Sequence, residues 1–225
     1  MRMTAVTDSK TEKKKFNTPT VFLVRHGDTK FNTGDPATDR AKGIQDLPLV
    51  ERGYEKARED AKQLAPLNIA EVHHSPLKRS SQSAAPIISA TGAKPVSNAD
   101  LDAWDIGYLG GQLRKDIADR VDYYIAHKNR PVPDGEPYGE FWKRITAAFA
   151  QILKKAEGLD EAAIVVVGHS DGIVAVTAWI DGTLPEAVEA GNGIDPGSIL
   201  IFEKRGGKWT WDEWSGSQSR EKAEE

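Results

Sequence analysis

A chain of 225 residues with 39% apolar and 28% charged side chains is long enough to bury one substantial core. Its 30 Lys and Arg against 34 Asp and Glu give a formal net charge of −4, so the basic excess of a nucleic-acid-binding surface is absent. The chain has no cysteine, which removes disulfide scaffolds, thiolate metal sites and cysteine nucleophiles together.

Residues 1–18, with the run Lys10-Thr11-Glu12-Lys13-Lys14-Lys15, read as a flexible tail, and residues 215–225 read the same way. The start of the chain is polar, with no apolar segment of the secretory kind behind it. The longest apolar runs, 21–24 and 162–167, are too short to span a bilayer. A cytoplasmic protein without a membrane or nucleic-acid partner is expected. Residues 19–214 carry no repeat and no linker, so one domain is expected there.

Within that domain, short apolar runs alternate with segments of helical period. The run 21–24, Val-Phe-Leu-Val, has the character of a buried parallel strand. A helix follows over about 51–64, with Tyr54, Ala57, Ala61 and Leu64 on one face. Residues 69–73 are a second strand, 77–90 a second helix bent or split at Pro86, and 94–96 a third strand. Leu113, Ile117, Val121 and Tyr124 mark another helix, and Phe141, Ile145, Ala148 and Ile152 a further one. The run 164–167 is the clearest buried strand, with a helix over 173–180 behind it. Residues 199–202 and 209–212 flank Arg205-Gly206-Gly207-Lys208, the pattern of a closing hairpin. This alternation argues for an α/β layer sandwich on a mostly parallel sheet.

In such sheets ligands bind beyond the carboxyl ends of the strands. Arg25-His26-Gly27 follows the first strand, Ser75-Pro76-Leu77-Lys78-Arg79 the second, and Gly168-His169-Ser170-Asp171-Gly172 the run 164–167. If these strands are neighbours, two histidines and two arginines converge. Two guanidinium forks offset a phosphate dianion and pair with its oxygens. A histidine amid that charge favours its neutral form, whose lone pair can attack phosphorus. The second histidine can donate to oxygens whose charge grows in the transition state. This chemistry calls for no metal and no cofactor, because the arginines do the electrostatic work.

Gly168-His169-Ser170-Asp171-Gly172 also fits G-x-S-x-G, the nucleophile elbow of α/β-hydrolases. That fold needs a histidine later in the chain, and the five histidines stand at 26, 73, 74, 127 and 169. The elbow reading is therefore incomplete. His73 and His74, adjacent in a strand, point to opposite faces and make a poor metal pair.

Taken together, these segments resemble the histidine phosphatase superfamily, the phosphoglycerate mutase-like group. The stretch Arg25-His26-Gly27-Asp28-Thr29-Lys30-Phe31-Asn32 is similar to R-H-G-x-T-x-x-N. Gly43-Ile44-Gln45-Asp46-Leu47-Pro48-Leu49 to Gly53 resembles G-x-x-D-x-P-L-T-x-x-G, and Ser75 to Ala84 resembles S-x-L-x-R-A-x-Q-T-A. Val166-Val167-Gly168-His169 fits the second-histidine strand. The resemblance implies a three-layer α/β sandwich with helices on both faces of the sheet. It implies that His26 is the phosphorylated nucleophile, that Arg25, Arg79 and His169 hold the phosphoryl group, and that Asn32 is a further contact.

Two departures stand out. The family places its general acid as Glu in a segment resembling L-x-E-x-x-x-G, and Leu101-Asp102-Ala103-Trp104-Asp105-Ile106-Gly107 carries Ala103 there. An extended segment would put Asp105 on the same side as residue 103, so Asp105 is the first candidate acid and Glu136 the second. Ser170-Asp171 stands where a small Gly-Gly-like pair is common, and Ser170 is expected at the edge of the substrate pocket. The expected function is hydrolysis of a small phosphomonoester through a phosphohistidine on His26. The alternatives are a phosphoglycerate mutase, which needs a closed pocket that the modest 107–141 segment does not promise, and a phosphate-binding pseudoenzyme. Neither the substrate nor the oligomeric state has a signature in the sequence.

Overall fold

The computed structural model describes residues 12–188 and 194–216 of the chain. Its frame is set by β1 (Thr20–Arg25), buried from end to end. Successive side chains of a strand face opposite ways. Val21 and Leu23 enter one core, whereas Phe22 and Val24 enter another on the far side of the sheet. Each of these side chains contributes about 2 kcal/mol by leaving water, an upper figure for a chain already partly collapsed when unfolded.

The remaining elements follow as α1 (Glu51–Leu64), β2 (Ile69–His74), α2 (Lys78–Thr91), β3 (Lys94–Ser97), α3 (Arg114–Ala126) and α4 (Tyr138–Ala156). They close with β4 (Ala163–Gly168), α5 (Ser170–Ile180), β5 (Ile199–Arg205) and β6 (Lys208–Glu213). The six strands form one sheet in the order β3-β2-β4-β1-β5-β6. The first four run parallel, and β5 and β6 are antiparallel additions at one edge. Ala61, Leu64, Ala84 and Ile87 bring α1 and α2 onto one face. Ile117, Phe141, Ile145, Phe149 and Ile173 bring α3, α4 and α5 onto the other. The result is the three-layer α/β sandwich. No helix among the described residues is long and apolar enough to cross a membrane.

Several boundaries differ from the sequence reading. α2 runs unbroken through Pro86 rather than splitting, with Ala84 and Ile87 buried on either side of it. Packing of those two residues holds the turn that the proline weakens. Of the expected N-terminal tail, residues 1–11 lie outside the described residues, but Lys14 to Phe16 are attached to the domain. The Lys14 N–H donates to Pro66 O at 2.8 Å, the Phe16 ring meets the Phe22 ring edge-on, and Lys15 pairs with Glu161. Of the expected C-terminal tail, residues 217–225 lie outside the described residues. The β5–β6 turn has positive φ at both Gly206 and Gly207, 56° and 82°, the hairpin geometry that glycine tolerates best. Trp209 and Trp211 lie over the core on the α5 side.

Candidate active site

Strand register assembles the site. Arg25 at the end of β1 pairs with Gly168 at the end of β4, and Val167 of β4 pairs with His74 at the end of β2. The segments after these three strands therefore emerge side by side at one edge, which is where Arg25-His26, Arg79 and His169 stand. The turn after β1 fits because two glycines meet. A Cβ on Gly27 would lie 2.4 Å from the Gly53 carbonyl oxygen, inside any allowed contact. The Gly27 N–H donates to Ser83 Oγ on α2, and that hydroxyl donates to the Arg79 carbonyl.

The hydrogen bonds fix which imidazole nitrogen does what. His26 Nδ1 lies 2.7 Å from the Gly27 carbonyl oxygen, which can only accept, so Nδ1 carries the proton. The lone pair is left on Nε2. Arg79 Nε–H donates to His169 Nδ1 at 3.2 Å, and a guanidinium can only donate, so His169 carries its proton on Nε2. That Nε2 is buried and has no partner among the described residues. Burial, then Arg79, hold both imidazoles well below the ordinary histidine range. The two rings are 5.2 Å apart between centroids.

Arg79 is 1% exposed and is held by the loop between β1 and α1. Its terminal nitrogens donate to Gln45 O at 2.6 Å and Gly43 O at 2.7 Å, and each keeps a second N–H. Arg25 donates to the Ile194 carbonyl, while its Nε is buried without a partner. Burial lowers both guanidinium groups to about 10, which leaves them charged near neutrality. Lys42 and Arg114 join them, neither of which the sequence reading singled out. Burial, with Arg25, Arg114 and Arg79 adding repulsion, lowers the Lys42 ammonium to about 7. Four cationic side chains, and two buried N–H groups without a partner among the described residues, thus face a cavity of about 360 Å³. Ile106, Ile117, Val121, Ile125, Val174 and Val188 give the same cavity an apolar wall.

Ala103 and Ser170 line this cavity, but Asp105, Glu136 and Asn32 do not. Asp105 Oδ1 accepts the Gly107 N–H at 3.0 Å at the start of a short 3₁₀ turn, Gly107–Leu109, so its side chain caps that turn. The Glu136 carboxylate accepts from Arg144 at 2.7 Å and from the Asp105 N–H at 3.1 Å, which engages it outside the cavity. Asn32 turns its Oδ1 to Thr29, N–H and hydroxyl each at 3.2 Å, and shapes the turn after β1. Both residues of the second departure, Ser170 and Asp171, line the cavity. His73 and His74 diverge: His73 pairs with Glu71 at 2.8 Å, and His74 Nδ1 lies 2.9 Å from the Ser75 carbonyl.

The histidine phosphatase superfamily (branch 1) model matches residues 21–216. The Enterobacter sp. protein named "Probable phosphoglycerate mutase GpmB" is 29% identical over 199 residues, covering 86% of this chain and 89% of that one. Among solved structures, a mycobacterial glucosyl-3-phosphoglycerate phosphatase superposes with a TM-score of 0.72 at 22% identity, covering 88% and 99% of the two chains. A phosphoserine phosphatase mutant of Entamoeba histolytica superposes with a TM-score of 0.71 at 20% identity, covering 88% and 98%. These two likenesses are of fold.

Proposed function

The chain belongs to branch 1 of the histidine phosphatase superfamily, and we propose that within it the protein hydrolyses phosphomonoesters through a phosphohistidine on His26. The observation that carries this reading is the pair of complementary tautomers. His26 presents a lone pair on Nε2, and His169 presents an N–H on its own Nε2 that no described residue satisfies. A buried donor without a partner costs about 1–3 kcal/mol, and a bound phosphoryl oxygen removes that cost. Arg25, Arg79, Lys42 and Arg114 supply the charge that a dianion needs, and it would strengthen on the equatorial oxygens as phosphorus passes between nucleophile and leaving group.

The apolar wall of the cavity supports a substrate whose alcohol part is mostly hydrocarbon. A highly hydroxylated sugar would strand its hydroxyls against Ile117, Val121 and Ile125. A mutase would use the same phosphohistidine but return the phosphoryl group to an organic acceptor rather than to water. The test is release of inorganic phosphate from p-nitrophenyl phosphate and from a panel of alkyl phosphates, with rapid acid-free trapping of phosphoenzyme. Stoichiometric phosphate release that vanishes in His26→Ala supports the hydrolase. Phosphoenzyme that forms but discharges only to an added phosphoglycerate would replace it with the mutase.

A further inference from the structure

The hydrolase reading, on which this inference rests, leaves the departing alkoxide without a proton donor, since Ala103 offers a methyl group and Asp105 and Glu136 are engaged elsewhere. Asp171 is the one carboxylate among the described residues that line the cavity. It is the second residue of α5, two positions after His169. Its Oδ2 accepts the N–H of Trp104 at 2.6 Å, and Trp104 is the residue next to Ala103. Its Oδ1 accepts the Gly172 N–H at 3.0 Å. The carboxyl group is therefore fastened across the cavity beside position 103, brought there by a different element of the fold. Its charge acts on Arg25, Arg79 and the buried Tyr138 hydroxyl, so it stands within the field of the phosphoryl cradle. No ion pair takes up either oxygen among the described residues, unlike Glu136 with Arg144.

We propose that Asp171 is the general acid and base of this active site, filling from α5 the place that Ala103 leaves empty. In the first step the His26 Nε2 lone pair forms the N–P bond as the P–O bond to the alcohol breaks. The Asp171 carboxyl proton passes to the departing oxygen. In the second step a water gives its proton to the Asp171 carboxylate as its oxygen bonds to phosphorus. The P–N bond breaks, its electron pair returns to His26, and phosphate leaves. One water is consumed, one alcohol is released, and both side chains regain their starting forms.

Two other groups in the cavity hold protons. Burial drives the Tyr138 hydroxyl far above its ordinary range, which makes it a poor donor of a proton to carry away. The Lys42 ammonium sits among the arginines, on the side that binds the anion.

The experiment compares Asp171→Asn with the wild-type full chain on p-nitrophenyl phosphate and butyl phosphate. Asparagine keeps an oxygen for the Trp104 N–H. An aryl oxide leaves without help, whereas an alkoxide needs the proton. The expected result is a roughly 100-fold or greater loss of kcat/KM on butyl phosphate and less than roughly tenfold on the aryl ester. Phosphoenzyme should still form from the aryl ester, and Ala103→Glu added to Asp171→Asn should recover at least part of the alkyl activity. Asp171→Ser repeats the comparison if the asparagine variant does not fold. Equal losses on both esters overturn the assignment, as does a leaving-group-selective loss in Lys42→Met with none in Asp171→Asn. In both cases a wild-type phosphoenzyme leaves the hydrolase reading standing. Wild-type turnover that persists in His26→Ala removes both.

Discussion

Arg79 donates its Nε–H to Nδ1 of His169 at 3.2 Å, and this contact decides where the proton of a fully buried imidazole resides. On the proposed mechanism an arginine in this place does two things, holding a phosphoryl oxygen and turning its neighbour into a donor. Lysine would keep the charge and lose the fork. Arg79→Lys should lower kcat/KM on an aryl phosphate by roughly 100-fold, the scale of one lost oxyanion donor. Steady-state kinetics with a phosphate-binding control checks it, and a loss within twofold would show that charge alone suffices.

The lone pair on His26 Nε2 depends on the Nδ1–H bond to the Gly27 carbonyl. His26→Ala should reduce turnover by a factor on the order of 10⁴ or more and leave no trappable phosphoenzyme. Phosphate should still bind, because Arg25, Arg79 and His169 remain. Radiolabel trapping and isothermal titration report the two effects separately.

Lys42 is lowered to about 7 by burial and by three neighbouring arginines, so a large share of it is neutral above neutrality in the empty site. A bound dianion restores the ammonium form, and binding must then take up protons. Calorimetry with tungstate at pH 8, in buffers of differing ionisation enthalpy, should show net proton uptake that shrinks in Lys42→Met. The affinity of the wild type for the dianion should fall as pH rises through about 7. A pH-independent affinity would contradict it.

Asp60 on α1 is 1% exposed, with Lys56 Nζ 3.4 Å from Oδ1, and burial raises its carboxyl to about 7. The folded state then holds a proton that the unfolded state has released between about pH 4 and pH 7, so stability falls as pH rises through that window. The loss is complete above it. Asp60→Asn should stabilise the protein by about 4 kcal/mol at pH 8 and by almost nothing at pH 4. Urea unfolding at the two pH values tests the sign as well as the size.

Gly27 and Gly53 meet too closely for any side chain, with a Cβ on Gly27 placed 2.4 Å from a backbone oxygen. Backbone cannot swing aside as a long side chain can. Gly27→Ala should cost about 2 kcal/mol or more in stability and lower kcat by a larger factor than Gly182→Ala lowers it. Thermal unfolding and kcat measured side by side would expose the difference.

The parts of this molecule that the sequence discloses are those where one residue type is forced by its surroundings. β1 and β4 are buried on both faces, so their runs of Val, Ile, Leu and Phe announce them. His26 and His169 directly follow strands, Arg25 ends β1 and Arg79 opens the helix after β2, all at the edge where a parallel sheet exposes its chemistry. Asp105 has no sequence mark of its true place, because its carboxylate is taken by the Gly107 N–H at the entry to the following 3₁₀ turn. Lys42 lies on an irregular loop and Arg114 opens α3, so neither has a period or a strand end to mark it. A basic residue at the start of an apolar-faced helix is the signal that could have drawn attention to Arg114. Asp171 was in plain view, but which way it turns is settled by Trp104, 67 residues away in sequence.

The cavity joins two territories of the chain that have separate duties. The groups around phosphorus are anchored to the sheet through backbone bonds such as His26 N–H to Gly168 O at 3.1 Å. Much of the apolar wall is α3, which carries Ile117, Ala118, Val121 and Ile125 into the cavity and takes no part in the sheet. On the proposed mechanism, redrawing those four side chains would change which alcohol is welcome, provided Arg114 at the head of the same helix is kept. Descendants of such a chain can therefore diversify in diet while inheriting the same chemistry.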